Sequence, residues 1–550
     1  MNNKDSYRDW ISWADEDTKK ELLAISDEKE IEDRFYKELS FGTGGLRGVM
    51  GAGSNRMNKY IVRKATLGLA HYLKETYLDD LDRGIVIAYD SRNHSHEFAM
   101  EAANVMTSAG IPVRIFAELE PTPVLSFSVK YFHALAGIVI TASHNMKQYN
   151  GYKVYDEYGD QIVPRIANKV ISYIDVVTDL AHIDARGNNE LLTRLGQQTV
   201  AAFLNAVYKS SVLKGNVSPL RIVYTPLHGA GNKPIRGILA KAGFHDVHVV
   251  KEQEQPDGNF PTVKSPNPEE QSALQLGIDL ASDIKADIVI GSDPDGDRLG
   301  CAVLHHGQYQ LITGNQIGAL LVNFVFSHRK SDKTATLVKT VVTGELGANI
   351  ARSKGVQVVE TLTGFKYIGE KITQYEQDPH HTFVMGYEES YGYLVGTHAR
   401  DKDATVAAML VCEMSSLYKQ NNKTLIDVLG DLYKQYGYYY DKLVSYTLPG
   451  KDGIEKISQI MKLLREKVIV SHIPEIKDTI DFAVGIGDLP KENVLKFVMA
   501  DGSWIAARPS GTEPKIKFYF SIKDNDENQA KIRFAQYINV IEDKVINLGK

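Results

Sequence analysis

Apolar and charged residues alternate at helical spacing through 9–25 (DWISWADEDTKKELLAI) and 27–39 (DEKEIEDRFYKEL), and predict helices there. A stretch with Gly at 42, 44, 45, 48, 51 and 53 interrupts the pattern, which resumes as a helix over 59–78. An apolar run within 83–95 (RGIVIAYDSRNHS) then reads as a strand that ends in a polar loop. A helix over 96–110, a strand over 111–119 and a second apolar run at 134–140 (ALAGIVI) follow, the alternation expected of a parallel α/β layer.

The pattern restarts twice. Residues 219–231 (PLRIVYTPLHGAG), 232–243 and 244–252 read as strand, helix and strand, and 286–298 (ADIVIGSDPDGDR) as a strand running into an acidic loop. A third round covers 334–344, 345–355, 356–369 (VQVVETLTGFKYIG) and 381–393 (HTFVMGYEESYGY). The end differs: 493–524 reads as strands joined by tight turns, and 527–548 as an amphipathic helix, together a small α+β domain. Residues 438–453 (YYYDKLVSYTLPGKDG) are the expected linker before it.

A chain of 550 residues exceeds one core and implies roughly three to five domains. The formal charge of -6 argues against nucleic acid held by overall charge. No run of about 18 apolar residues offers a membrane span. The polar start, MNNKDSYRDW, has no apolar signal region. The two cysteines, Cys301 and Cys412, lack metal-type spacing and fit a reduced cytoplasmic chain.

Candidate chemistry sits where the apolar runs end. Asp293, Asp295 and Asp297 alternate, so an extended backbone would aim all three carboxylates one way. A hard cation such as Mg²⁺ would relieve their repulsion; a solvated turn is the plainer alternative. An EF-hand is excluded, because its sixth and twelfth positions would be Arg298 and Leu304. An aspartyl phosphatase with Asp293 as nucleophile remains open, although Asp297 stands where such enzymes carry a hydroxyl residue. Arg298 suits either a salt bridge or a bidentate grip on phosphate.

In 141–155 (TASHNMKQYNGYKVY), Ser143 is a nucleophile only if activated, with His144 adjacent and Lys153 ten residues on. Glu388 and Ser390 in GYEESYGY suit sugar hydroxyls. Arg508, Ser510, Gly511 and Thr512 in RPSGTEPKIKFY combine a guanidinium, hydroxyls and flexible backbone suited to a phosphate dianion.

Taken in order, these motifs resemble the α-D-phosphohexomutase superfamily, the phosphoglucomutases and phosphomannomutases, over nearly the whole chain. The resemblance implies three tandem α/β domains with mixed sheets and a C-terminal α+β domain around a central cleft, bounded at 1–212, 213–313, 314–445 and 446–550. It implies that Ser143 carries a phosphoryl group and, with Asp293, Asp295 and Asp297, holds Mg²⁺. It makes Lys366 a proton-transfer candidate beside His144 and Lys153, and gives Arg298 the moving phosphoryl group. It turns Arg47 of GTGGLRG toward the substrate, and adds positive charge from Arg400 and Lys402 of THARDKDA. The implied reaction interconverts glucose 1-phosphate and glucose 6-phosphate through glucose 1,6-bisphosphate; mannose and pentose phosphates are the alternatives. Tyr387 within GYEES matches the branch that contains phosphopentomutases and bacterial phosphoglucomutases. The position after Asn145, usually proline in the family, is Met146, which bears on loop rigidity. A phosphosugar is the one implied partner, with no obligate protein partner. A sensor without catalysis needs neither the serine nor the three acids.

Overall fold

Three short runs, IVIAY, AGIVI and IVIGS, are buried at every position. Strands covered on both faces lose the apolar–polar alternation and read as continuous apolar runs. In the computed structural model, which describes residues 3–42, 44–329, 332–448, 451–510 and 515–547, each is an interior strand of a sheet.

The first sheet comprises β1 (Gly45–Val49), β2 (Ile85–Tyr89), β3 (Val113–Phe116), β4 (Ala136–Ile140), β5 (Tyr149–Tyr155) and β6 (Leu192–Leu195), in the order β1-β5-β4-β2-β3-β6. Its four strands β4, β2, β3 and β6 are parallel, and β5 and β1 add antiparallel at one side. Tyr89 pairs with Ile140, so the loops after β2 and β4 leave the same edge side by side. The second sheet, from β7 (Ile222–Thr225), β8 (Val247–Val249), β9 (Ile288–Ser292), β10 (Leu299–His305) and β11 (Gln308–Ile312), has the order β11-β10-β9-β7-β8. Its mixed pairing repeats the theme, with β9 parallel to β7 and antiparallel to β10.

The third sheet has β12 (Ala335–Thr340), β13 (Gln357–Thr361), β14 (Thr382–Glu388) and β15 (Gly392–Val395), in the order β13-β12-β14-β15. The fourth has β16 (Tyr438–Thr447), β17 (Ile476–Asp481), β18 (Leu495–Met499), β19 (Trp504–Pro509) and β20 (Lys515–Asp524), in the order β16-β20-β19-β18-β17, antiparallel throughout. The segment expected as a linker is thus mostly strand β16, paired with β20 over ten positions. The stretch YNGYKVY after the serine loop is likewise strand β5, and GLRGV within the glycine-rich stretch is β1.

By its internal contacts the chain divides into two compact units. One holds Met1–Ile312, Phe365–Gly386 and Ser390–Asn421; the other holds Thr313–Gly364, Tyr387–Glu389 and Asn422–Lys550. In the first, the helix Lys59–Thr76 starts at Asn58, whose side chain accepts from the amides of Tyr60 and Ile61. It packs on the core of the first sheet through Ile61, Ala65, Leu69 and Leu73. In the second, Phe497, Ile505, Phe518 and Ile522 of the fourth sheet pack with Ile460, Leu464 and Ile541 of its helices. Among the described residues no helix is long and apolar enough to cross a membrane. Cys301 and Cys412 are buried and unbridged.

Candidate active site

Strand β9 delivers the acidic loop. Asp293 does not continue the strand: its carboxylate accepts from the amides of Asp297 (3.1 Å) and Arg298 (3.0 Å), and its carbonyl from Gly296 (3.0 Å). The three acids therefore converge through a turn rather than along an extended run, and their ligand oxygens lie within 4.8 Å of one another. All three are buried. The loop packs closely on its neighbour: Ala230 N–H donates to Pro294 O at 2.8 Å, and a Cβ on Gly229 would meet Pro294 Cα at 2.4 Å.

Two lysines face this triad. Lys153 of β5 places Nζ 2.8 Å from Asp295 Oδ2 and 3.5 Å from Asp297 Oδ2. Lys402 places Nζ 3.2 Å from Asp297 Oδ2 and 3.0 Å from Asp401 Oδ1. The stem of Lys402 passes over Gly392, where a Cβ would meet its Cδ at 2.2 Å. Burial raises the affinity of Asp293 for a proton, and Asp295 and Asp297 add to this, so its pKa stands well above the carboxylate range. Burial acts the same way on Asp295, but Lys153, the hydrogen bond with Asp293 and the charge of Lys402 together outweigh it and hold that carboxyl far below the usual range. Asp295 Oδ1 and Asp297 Oδ1 are buried and find no hydrogen-bond partner among the described residues. Buried carboxylate oxygens without donors suit a divalent cation with hard oxygen ligands.

The serine loop leaves β4 and reaches the same place. Ser143 Oγ donates to Asp293 Oδ2 at 2.6 Å and lies 3.2 Å from His144 Nδ1. Burial, then the charges of Arg298 and Arg47, push the His144 pKa well below its ordinary value, so the ring is neutral at pH 7. Arg47, exposed on β1, donates to Asn145 Oδ1 at 3.0 Å. Arg298 directs Nη1 to Glu269 Oε1 (2.7 Å) and to Ser390 O (3.1 Å), so part of its fork is engaged by protein.

Two residues the sequence reading did not single out complete the loop. Asp90 and Arg92 follow β2, and Arg92 is fully buried, its guanidinium 5.0 Å from the centre of the Phe260 ring. The sign available in the sequence was their place in a polar loop after an apolar run, the position the other candidate loops share.

Other expectations fare differently. Arg400 was expected to offer charge to a ligand. Its side chain is instead wholly buried, bonded to Glu376, Thr373 and the carbonyls of Thr397 and Ala399. Lys366 follows β13, as the sequence leads one to expect, half-buried in the first turn of the helix Phe365–Tyr375 with Nζ 5.2 Å from the Tyr367 ring centre.

In the second unit, Glu388 is buried and accepts from Gly364 N–H at 3.0 Å. Glu389 accepts from Thr343 Oγ1 at 3.3 Å. Arg508 donates through Nε to Glu492 Oε1 at 2.9 Å and is paired further with Tyr519. Ser510 N–H donates to Lys515 O at 2.7 Å, while Gly511 and Thr512 lie outside the described residues.

Family models for phosphoglucomutase/phosphomannomutase match in sequence: α/β/α domain I over residues 38–179, domain II over 201–307, domain III over 313–436 and the C-terminal domain over 451–533. The chain belongs to the phosphoglucomutase/phosphomannomutase family. It is accordingly an enzyme, an isomerase that relocates a phosphoryl group. Among curated members, a phosphoglucomutase of Staphylococcus saprophyticus is 35% identical over 97% of this chain and 99% of its own length. One of Staphylococcus epidermidis is 38% identical over 93% of this chain and 96% of its own. Among solved structures of the family, a Paramecium phosphoglucomutase in an open form superposes with a TM-score of 0.71 at 17% identity, covering 92% of this chain and 96% of its own. A family protein from Burkholderia thailandensis gives 0.69 at 18%, covering 92% and 97%. At those identities the likeness is one of fold.

Proposed function

We propose that the chain is a phosphoglucomutase that interconverts glucose 1-phosphate and glucose 6-phosphate, with Ser143 as the phosphoryl carrier. The observation that carries this reading is the 2.6 Å bond from Ser143 Oγ to Asp293 Oδ2, a hydroxyl seated on a buried carboxylate triad. Near-full-length likeness to curated phosphoglucomutases supports glucose as the sugar. The triad with its two donor-free oxygens fits Mg²⁺, held by Asp293, Asp295, Asp297 and the phosphoserine. When bound, Mg²⁺ would neutralise charge on the phosphoryl group as it moves.

The protein's own groups do the rest. Glucose 1-phosphate presents O6 to phospho-Ser143; the O6–P bond forms as the Ser143 Oγ–P bond breaks, and the O6 proton passes through a base to the departing Ser143 Oγ. His144, neutral and 3.2 Å from Ser143 Oγ, is suited to exchange that proton. Lys153 and Lys366 are the other proton-transfer candidates. Glucose 1,6-bisphosphate then reorients, its other phosphate returns to Ser143, and glucose 6-phosphate leaves. Added in trace, the same bisphosphate would prime an unphosphorylated Ser143.

Lys153, Lys402 and Arg298 supply fixed positive charge where the phosphoryl group transfers. Arg508, Ser510, Gly511 and Thr512 would take the phosphate that is not being transferred. Glu388 and Ser390 would read sugar hydroxyls, and Arg47 would add charge beside Asn145. A cytoplasmic location accords with two buried, unbridged cysteines.

The test is a product assay with glucose, mannose and ribose 1-phosphates. The reading expects sugar 6-phosphate from glucose 1-phosphate at the highest kcat/KM, with no inorganic phosphate released. Stoichiometric phosphate release would instead favour hydrolysis with Asp293 as nucleophile.

A further inference from the structure

Ser143 has φ of +51°, the left-handed region. That conformation is disfavoured for a residue with a Cβ, and persists where surrounding groups over-determine it. Two groups hold the Ser143 backbone. Its N–H donates to Thr141 Oγ1 at 2.8 Å, and its carbonyl accepts from Arg92 Nη2. Nη2 also donates to Asn145 O, and Nη1 to Met146 O and Tyr149 O, both at 3.0 Å. One buried guanidinium therefore spans four carbonyls between Ser143 and the start of β5 at Tyr149.

The two holds are joined. Asp90 Oδ2 accepts from Thr141 Oγ1 at 2.6 Å and lies 3.4 Å from Arg92 Nε. Asp90 Oδ1 accepts from the Arg92 amide at 2.9 Å and from Ser95 Oγ at 2.7 Å. A second segment covers the device: Phe260 lies under the guanidinium, and Ser265 Oγ donates to His144 O at 3.0 Å. A guanidinium holds five donors in a rigid planar fork that reaches carbonyls spread along the loop; a lysine ammonium has three donors on one nitrogen, a point charge on a flexible stem. Met146, where the family resemblance leads one to expect proline, leaves φ unrestricted at that position.

The geometry points to Arg92 and Thr141 as the positioning residues that hold Ser143 in the left-handed conformation from which its Oγ meets Asp293, with Arg92 supplying the loop rigidity that Met146 does not. Neither residue touches substrate in this scheme. The inference rests on Ser143 as phosphoryl carrier.

The test uses the full-length protein with Mg²⁺. In Arg92→Lys, released from its carbonyl anchors, Ser143 relaxes toward negative φ and Oγ swings off Asp293. We expect kcat to fall about 100-fold, the scale of a 1 Å misplacement, with KM changed less than about threefold. Label transfer from ³²P-glucose 1,6-bisphosphate to Ser143 slows in parallel, amides of 143–149 exchange faster, and the melting transition remains cooperative. Met146→Pro added to Arg92→Lys recovers part of kcat, which a merely structural role for Arg92 does not predict. A folded Arg92→Lys protein with wild-type kcat overturns the inference. Should Arg92→Lys fail to fold, Thr141→Val carries the test: it removes the acceptor for the Ser143 amide together with the donor to Asp90 Oδ2, and wild-type kcat there also overturns it. Label on wild-type Ser143 with unaltered variants defeats this inference alone. Absence of label from wild-type Ser143 defeats the carrier assignment, and this inference with it.

Discussion

Lys153 Nζ lies 2.8 Å from Asp295 Oδ2, in a site where the lysine exposes a tenth of its side chain and the aspartate none. At such burial the pair is screened little by salt, and each partner sets the charge state of the other. The lysine also competes with any cation for the triad. Lys153→Met should therefore bind Mg²⁺ more tightly in a calorimetric titration, while kcat falls through loss of fixed positive charge. Weaker Mg²⁺ binding in the variant would contradict this account of the triad.

Arg400 separates a structural cation from a substrate-binding one. Its donors are all directed at protein, to Glu376, Thr373 and two carbonyls, and none of its side chain is exposed. Removing it leaves those carbonyls without a donor. Arg400→Met should cost about 3 kcal/mol in denaturant unfolding, with KM for glucose 1-phosphate unchanged in the folded fraction. A raised KM at unchanged stability would return Arg400 to the substrate site.

Arg508 should behave in the opposite way. As a group that would bind the non-transferring phosphate in ground and transition states alike, its loss raises KM more than it lowers kcat. Steady-state kinetics of Arg508→Ala measures this, and an unchanged KM removes Arg508 from the clamp.

Glu120 gives a pH signature. It is buried, and desolvation, aided by Glu118, raises its pKa to about 8. The unfolded chain ionises this carboxyl near its ordinary value of 4.5, whereas the folded protein keeps the proton until about pH 8. Between those values the folded state binds more protons, so this group's contribution to stability is full below pH 4.5, falls as pH rises toward 8 and is level above. Glu120→Gln removes the titration. Its melting temperature relative to wild type should rise from pH 5 to pH 8, and a pH-independent difference would show that Glu120 ionises normally.

The strands that carry the site were legible because burial on both faces makes a run of apolar residues. IVIAY, AGIVI and IVIGS announce themselves, and the polar loops after two of them hold Ser143 and the three acids. Strand β5 was hidden because its buried positions include Asn150 and Lys153, whose partners lie on distant segments. Strand β16 looks like a linker in the sequence because it is only partly covered and the chain continues into Pro449 and Gly450, although it pairs fully with β20. The helix Gly314–His328 is buried on nearly every side and so offers no polar face to mark its period.

The same contrast holds within the site. Three aspartates after a strand suggest a cation whatever the backbone does, so their convergence was readable even though it comes through a turn. Arg92 resembles any surface arginine in a loop. Its meaning arises from β2 lying beside β4, a pairing that brings residues some 50 positions apart together and that one sequence does not print. Arg400 errs the other way: charge near a ligand loop suggested binding, but packing turned it inward.

The most direct measurement locates the phosphoryl group. Wild-type protein and Ser143→Ala, each with Mg²⁺, are treated with glucose 1,6-bisphosphate labelled in its phosphates, and the label is mapped by peptide mass spectrometry. The account predicts label on Ser143 in the wild type, chased off by glucose 1-phosphate, and a folded Ser143→Ala protein with neither label nor turnover. Label on Asp293, or active Ser143→Ala protein, would contradict it.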